Sequence, residues 1–286
     1  MAPPPQPRPR IAVIVPCYRD GGLVREAVHS VREREPVEVV VVDDKGDHPP
    51  TDSVLEELES DGITVKRHAR NLGAAAARTT GLHASSAPLV FPLDADDLAV
   101  AGHLALLADR LEAEPQAQVV FGDYEEFGER RLVRGVPSRL DPFRLAHTNE
   151  YPVTALFRRT LLEEIGGFSP AGYQGRSYED WNLWLTVAEG GERGLHAGRG
   201  VITYRRRLHG ERKLQSGKQR HRELYAQIRA AHPAIYGRLA EHRRRSDLPA
   251  VRKLLYPYVY GGRRRFPTEQ HAKNALDRAG IWTLRR

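Results

Sequence analysis

A chain of 286 residues, 40% hydrophobic and 28% charged, has room for one large domain with its own core plus extensions. No apolar run approaches the roughly 20 residues of a bilayer-spanning helix, no charged-then-apolar leader opens the chain, and the single cysteine, Cys17, excludes an intramolecular disulfide and points to a reducing cytoplasm. The net charge of +7 is unevenly spread, with 21 Lys+Arg against 31 Asp+Glu in residues 1–198 and 23 against 6 in residues 199–286. A basic third of this kind suits nucleic acid, an anionic membrane or an anionic ligand, or is a solvated arginine-rich surface; only six of the 44 cations are lysine, which favours the last reading.

Residues 1–9 are Pro-rich and read as a tail without packed structure. An alternation then begins. Short apolar, β-branched runs predict strands at Ile11–Val15, Val37–Val42, Ile63–Arg67, Leu89–Leu93 and Gln118–Phe121. Between them, helices are expected at Leu23–Arg34, Ser53–Ser60, Gly73–Ala84 and His103–Glu112. Strands alternating with helices predict a mainly parallel sheet covered on both faces. Further on, Val153–Phe157 reads as a strand, Thr160–Ile165 as a short helix stopped by Gly166–Gly167, and Glu179–Ala188 as a helix with Trp181, Trp184 and Leu185 on one face. Val201–Arg205 reads as an edge strand and 218–245 as one basic helix. The chain from Val251 onward holds one or two more helices, broken at Gly261–Gly262.

Ligands in open sheets of this kind sit outside the carboxyl ends of the strands. Two acidic groups fall there, Asp43–Asp44 after one strand and Asp94, Asp96 and Asp97 after another, so they are expected to share a crevice. Three carboxylates within four residues repel one another, and a hard divalent cation offsets that through oxygen ligands. The alternative is a solvated turn capping the next helix. Asp43–Asp44 is open to the same two readings, a base-accepting carboxylate or an acidic turn. Glu179–Asp180 opens a helix, which suits either a role in the helix dipole or a general base. His209 follows Arg205, Arg206 and Arg207; the imidazole is a metal ligand or merely solvated, and the arginines pair with phosphate or form a solvated run. No G-x-G-x-x-G follows the first strand, and no G-x-x-x-x-G-K-[ST] occurs.

In order and spacing, Ile11-Ala12-Val13-Ile14-Val15-Pro16-Cys17-Tyr18, Val41-Val42-Asp43-Asp44, Arg70-Asn71-Leu72-Gly73 through Arg78, Leu93-Asp94-Ala95-Asp96-Asp97, Gly166-Gly167-Phe168 and Tyr178-Glu179-Asp180-Trp181-Asn182-Leu183-Trp184 resemble the family 2 glycosyltransferases, which have the GT-A fold. The resemblance covers about residues 10–208. It implies an α/β catalytic domain at 10–210, built on a single Rossmann-like mixed sheet flanked by helices, with a basic C-terminal helical extension at 211–286. It further implies that Pro16, Tyr18 and Asp44 line a nucleoside pocket, with Asn71, Gly73 and Arg78 near the nucleotide. Asp94, Asp96 and Asp97 would then meet the ribose and a Mg²⁺ or Mn²⁺ ion, Asp96 being the first choice for direct contact and His209 a further candidate. Asp180 would be the base of an inverting transfer from a nucleotide sugar, UDP-linked by preference, with Glu179 beside it. The chain departs from the family pattern at Lys45-Gly46-Asp47, at Thr79 and Thr80, at Arg19-Asp20 and at Leu208-His209-Gly210-Glu211.

Two other classes fit parts of the sequence. A nucleotidylyltransferase would carry a Gly-rich basic loop after the first strand, where Pro16–Gly22 offers only Arg19. A non-catalytic protein that binds a nucleotide sugar or nucleic acid would use the basic third; nucleic acid is not expected as a partner. The acceptor is unknown from sequence. The stretch Leu254–Tyr260 packs on the catalytic domain, touches a membrane surface or joins copies of the chain.

Overall fold

A computed structural model describes residues 8–170, 177–191, 193–208 and 221–261. The Pro-rich start through Pro7, His209 and the chain beyond Gly261 lie outside the described residues. By internal contacts the chain divides into two units. One takes in Met1–Arg139, Tyr151–Ala171 and Glu192–Glu211, the other Leu140–Glu150, Gly172–Gly191 and Arg212–Arg286.

The first unit begins with β1 (Ile11–Cys17), buried along its whole length. An apolar run buried on both faces is what an interior parallel strand requires. Then come α1 (Gly22–Ser30), β2 (Val37–Asp43), α2 (Pro49–Ser60), β3 (Thr64–Arg67), α3 (Ala74–Ala84), β4 (Leu89–Pro92), the two-residue β5 (Leu98–Ala99) and α4 (His103–Ala113). The unit continues with β6 (Val119–Phe121), β7 (Asp123–Gly128) and β8 (Leu132–Arg134). After residues of the second unit, β9 (Leu156–Arg158) and α6 (Arg159–Ile165) follow, and later β10 (Gly194–His196) and β11 (Ile202–Leu208). The label α5 is kept for Pro142–Leu145 and α7 for Glu179–Glu189, both in the second unit.

Seven strands form the central sheet in the order β10-β6-β9-β4-β1-β2-β3. All neighbours are parallel except β9, which runs antiparallel to both β4 and β6. The expected mixed sheet flanked by helices is therefore present, with β1 between β2 and β4. It is not the single sheet expected from sequence: a second one, of four strands, has the order β5-β11-β7-β8. The strand expected at an edge, β11, lies inside this second sheet, between β5 and β7. One of its arginines pairs across the ladder with the acidic strand β7. Arg205 Nε donates to Glu125 at 2.7 Å, and Glu126 meets Arg134 of β8 at 3.0 Å. Tyr124 and Tyr204 stack with ring centroids 5.2 Å apart.

Helix α3 is Ala-rich because it approaches the sheet closely. A Cβ on Gly81 would stand 2.3 Å from Ile14 Cγ2 of β1. Gly81→Ala is accordingly expected to destabilise the protein by about 1–2 kcal/mol, since overpacking outweighs the gain in helix propensity; a denaturant midpoint at or above the parent value would contradict this.

The second unit is helical. Besides α5 and α7 it holds α8 (His221–Ala231), α9 (Pro233–Gly237), α10 (Leu239–Arg245) and α11 (Ala250–Val259). The region expected as one basic helix over 218–245 is three helices in its described part. Pro233 opens the second, because it lacks the N–H that would continue the first. Phe143, Leu248, Tyr256, Val259 and Tyr260 make a small core here. Among the described residues no helix is long and apolar enough to cross a membrane.

Candidate active site

The carboxyl ends of β2 and β4 flank that of β1, so the first unit places Asp43–Asp44 on one side and Asp94 on the other. Asp44 is 3% exposed, and its oxygens are held by backbone and ring donors. Oδ1 accepts from Leu72 N at 2.8 Å, Oδ2 accepts from Gly73 N at 2.7 Å, and His68 Nδ1 lies 2.8 Å from Oδ1. The other ring nitrogen of His68 meets Thr80 Oγ1 at 2.9 Å. Asp44 thus fastens the loop that enters α3, whose N-cap is Gly73 at φ 96°. Asn71 sits half-buried in the same loop. Removing the carboxylate leaves several buried or half-buried donors without an acceptor, each costing about 1–3 kcal/mol. Asp44→Ala should therefore lower stability by at least about 2 kcal/mol in chemical denaturation; an unchanged midpoint would refute this anchoring.

Asp43 has a separate task. Its Oδ1 accepts from Gly46 N at 3.0 Å, and Gly46 O in turn accepts from Arg19 Nε at 2.7 Å. Pro16 is the buried penultimate residue of β1. Tyr18 is half-buried, and its amide donates to Asp20 Oδ2 at 2.6 Å.

The second acidic group is a turn between β4 and β5, closed by Asp97 N donating to Asp94 O at 3.0 Å. One ligand oxygen from each of Asp94, Asp96 and Asp97 can be chosen so that all lie within 4.8 Å of one another. The helix-cap alternative does not hold for these acids. Helix α4 begins four residues after β5's last residue, with Gly102 at its cap, and Glu33 accepts from Leu104 N and Ala105 N. Asp94 Oδ1 accepts from Arg78 Nη2 at 2.5 Å, and the Arg78 side chain is buried. Asp97 is 5% exposed, and its Oδ1 accepts from Arg207 N at 2.8 Å. Burial, then the charges of Asp94 and Asp96, push the Asp97 carboxyl well above the usual carboxylate range. Three hard oxygen donors that repel one another suit Mg²⁺ or Mn²⁺.

The arginines of β11 are engaged within the protein, not arrayed in solvent. Arg207 Nη2 donates to Glu26 at 2.6 Å and its Nε to Asp96 O at 3.0 Å, while the Arg206 guanidinium lies 5.9 Å from the Tyr124 ring centroid.

In the second unit, Glu179 and Asp180 form the first turn of α7. Asp180 Oδ1 accepts from Trp181 N at 2.8 Å, and Oδ2 accepts from Asn149 Nδ2 at 3.1 Å. Trp181 Nε1 donates to Leu145 O at 2.7 Å, fixing this turn against the segment of α5. Sequence reasoning passed over Asn149 and His68. His68 could have been noticed, since it follows β3 directly, at the same edge as the two acidic groups. Nothing in the sequence around Asn149 marks it.

Four non-glycine residues among the described ones adopt left-handed φ: Arg19 at 61°, Lys45 at 58°, Asp47 at 43° and Tyr178 at 68°. The first three lie in the loops after β1 and β2, and Tyr178 directly precedes Glu179. Such conformations cost roughly 1–3 kcal/mol each and gather where function demands a particular geometry.

A mixed sheet of this order, with carboxylates at the carboxyl ends of its central strands, is the architecture of the GT-A glycosyltransferases. Residues 12–166, more than half of the chain, match the glycosyl transferase family 2 profile, and the chain belongs to that family of transferases. No curated protein matches it in sequence. Among solved structures, Staphylococcus aureus TarS 1–349 in complex with UDP-GlcNAc aligns at a TM-score of 0.64 and 18% identity, over 96% of this chain and 78% of that one. The mannosyltransferase PcManGT from Pyrobaculum calidifontis, in complex with GDP-Man and Mn²⁺, aligns at 0.57 and 24% identity, over 98% and 78%. At such identities the likeness is one of fold.

Proposed function

We propose that the chain transfers a sugar, with inversion, from a nucleoside-diphosphate sugar to an acceptor hydroxyl, with Asp180 as base and a divalent cation at Asp96 and Asp97. The observation that carries this reading is the trio of carboxylates within 4.8 Å of one another at the carboxyl end of β4. The neighbours of the same fold, one holding UDP-GlcNAc and the other GDP-Man with Mn²⁺, support a nucleotide-sugar donor. A UDP-linked donor is favoured.

The chain's own residues divide the work. Pro16, Tyr18 and Asp44 line the nucleoside side with Asn71 and Gly73, and Asp44 also keeps the loop of Asn71 and Gly73 in place. Arg78 holds Asp94 oriented towards the ribose. Asp96 and Asp97 would hold the cation, which would supply Lewis-acid stabilisation of the leaving diphosphate. Asp180 accepts the acceptor's hydroxyl proton while that oxygen bonds to the anomeric carbon and the bond to the diphosphate breaks. Asn149 fixes the carboxylate's direction, and Glu179 adds negative charge beside it. Single displacement inverts the anomeric centre, through a transition state with oxocarbenium character.

The deciding experiment is donor hydrolysis and transfer with a panel of UDP-, GDP- and dTDP-sugars, with and without Mg²⁺ or Mn²⁺, with NMR of the product's anomeric configuration. Metal-dependent turnover of a UDP-sugar with inversion is expected. Activity unaffected by chelation would remove the metal from the reading, and a retained configuration would remove the single displacement.

A further inference from the structure

Helix α11 exposes apolar side chains besides those it places in the core of its unit. Tyr256 and Val259 face inward, into the core with Phe143 and Leu248. Another stripe, at the i, i+3, i+7 spacing of a helix face, is formed by Val251, Leu254 and Tyr258. Val251 is 55% exposed and Leu254 56%, the highest values among the exposed large apolar side chains of the described residues. Cations border this stripe. Arg252 and Lys253 lie on the helix itself, and Lys253 Nζ donates to Arg244 O at 3.2 Å, which brings the end of α10 alongside. Arg243, Arg244 and Arg245 there are exposed. From Arg238 to Lys253 the sequence holds six arginines and lysines against Glu241 and Asp247.

We infer that this face docks on an anionic membrane surface, with Val251 and Leu254 entering the headgroup boundary and the flanking cations meeting lipid phosphates. Charge selects the partner: a second copy of the chain would bring the same cations against these. A helix of ten residues, about 15 Å long, lies in the interface plane and does not span. Tyr258 suits the same boundary, with an apolar ring and a polar tip. The inference concerns the helical unit alone and stands whether or not the donor-site reading holds.

The test is co-sedimentation of the full chain with vesicles, which needs no transferase activity. Binding is expected to phosphatidylcholine vesicles containing roughly a third phosphatidylglycerol and not to neutral ones, weakening at least about tenfold between about 0.1 M and about 0.5 M salt. Val251→Ser with Leu254→Ser leaves the charge unchanged and should lower the affinity at least about tenfold. Arg243→Gln with Arg244→Gln should do likewise, each cation near such a surface being worth roughly fivefold. This second pair alters only exposed side chains, so it carries the test if the serine pair fails to fold. Parent protein that ignores anionic vesicles, or folded variants that bind them like the parent, would overturn the proposal. So would a serine pair that turns an oligomer into a monomer in light scattering without changing vesicle binding, since the stripe would then be covered by a second copy.

Discussion

Asp180→Asn is expected to lower turnover roughly 10²–10⁴-fold, the range a positioned general base contributes, while the affinity for the donor nucleotide changes less than about threefold, under ~1 kcal/mol. The substitution keeps the shape of the side chain and one acceptor oxygen. Asp180 Oδ1 accepts from Trp181 N and Oδ2 from Asn149 Nδ2, so the carboxamide can retain the first contact and the fold of the turn. What it loses is the charge and the basicity that the proposed base role requires. Turnover measured beside donor titration by calorimetry separates the two effects. Donor affinity that collapses with turnover would show Asp180 to be a binding or folding residue. Turnover within about tenfold of the parent would end its assignment as base.

Asp96→Ala is the second large effect. Removing a cation that stabilises a leaving diphosphate forfeits several kcal/mol, so turnover at fixed Mn²⁺ should fall at least about 10²-fold. Mn²⁺ affinity, read by electron paramagnetic resonance, should fall with it. Of the three acids, Asp94 is paired with Arg78, and Asp97 is buried with one oxygen on the Arg207 amide. Asp96 is half-buried, and it is through its backbone carbonyl that Arg207 holds the turn. A thermal melt of the alanine variant without metal checks that the loss of turnover does not come from loss of fold. Parent-like Mn²⁺ affinity in Asp96→Ala would displace the metal from this turn.

Much of this architecture is legible in the sequence, for physical reasons. An apolar β-branched run such as Ile11–Val15 has few stable fates other than a buried strand, and the carboxyl end of such a strand is where an acidic cluster draws notice. The second sheet was hidden because its stabilising residues look like loop residues. No strand is expected at Asp123–Gly128, which is polar and acidic, and its place in a ladder follows only once Glu125 is paired with Arg205 and Glu126 with Arg134. The same pairing turned an apparent edge strand into an interior one. His68 and Asn149 were missed because their partners, Asp44 and Asp180, are 24 and 31 positions away, and neither pairing follows from local periodicity. The left-handed backbone at Tyr178 carries no signal at all, since the residue type argues against it.

Helix α3 touches both acidic groups of the first unit: the amides at its entrance bind Asp44, and Arg78, on its second turn, binds Asp94. A ligand that competes for Asp94 changes what Arg78 holds, and a ligand that shifts the Leu72–Gly73 entrance moves the same rigid rod. Were ligands to act on α3 in this way, occupancy at one end would be energetically visible at the other. Thermodynamics makes such visibility mutual: by whatever factor a cation tightens the nucleotide, the nucleotide tightens the cation. An enzyme wired in this way would fill its donor site as a unit at concentrations where either component alone would leave it largely empty.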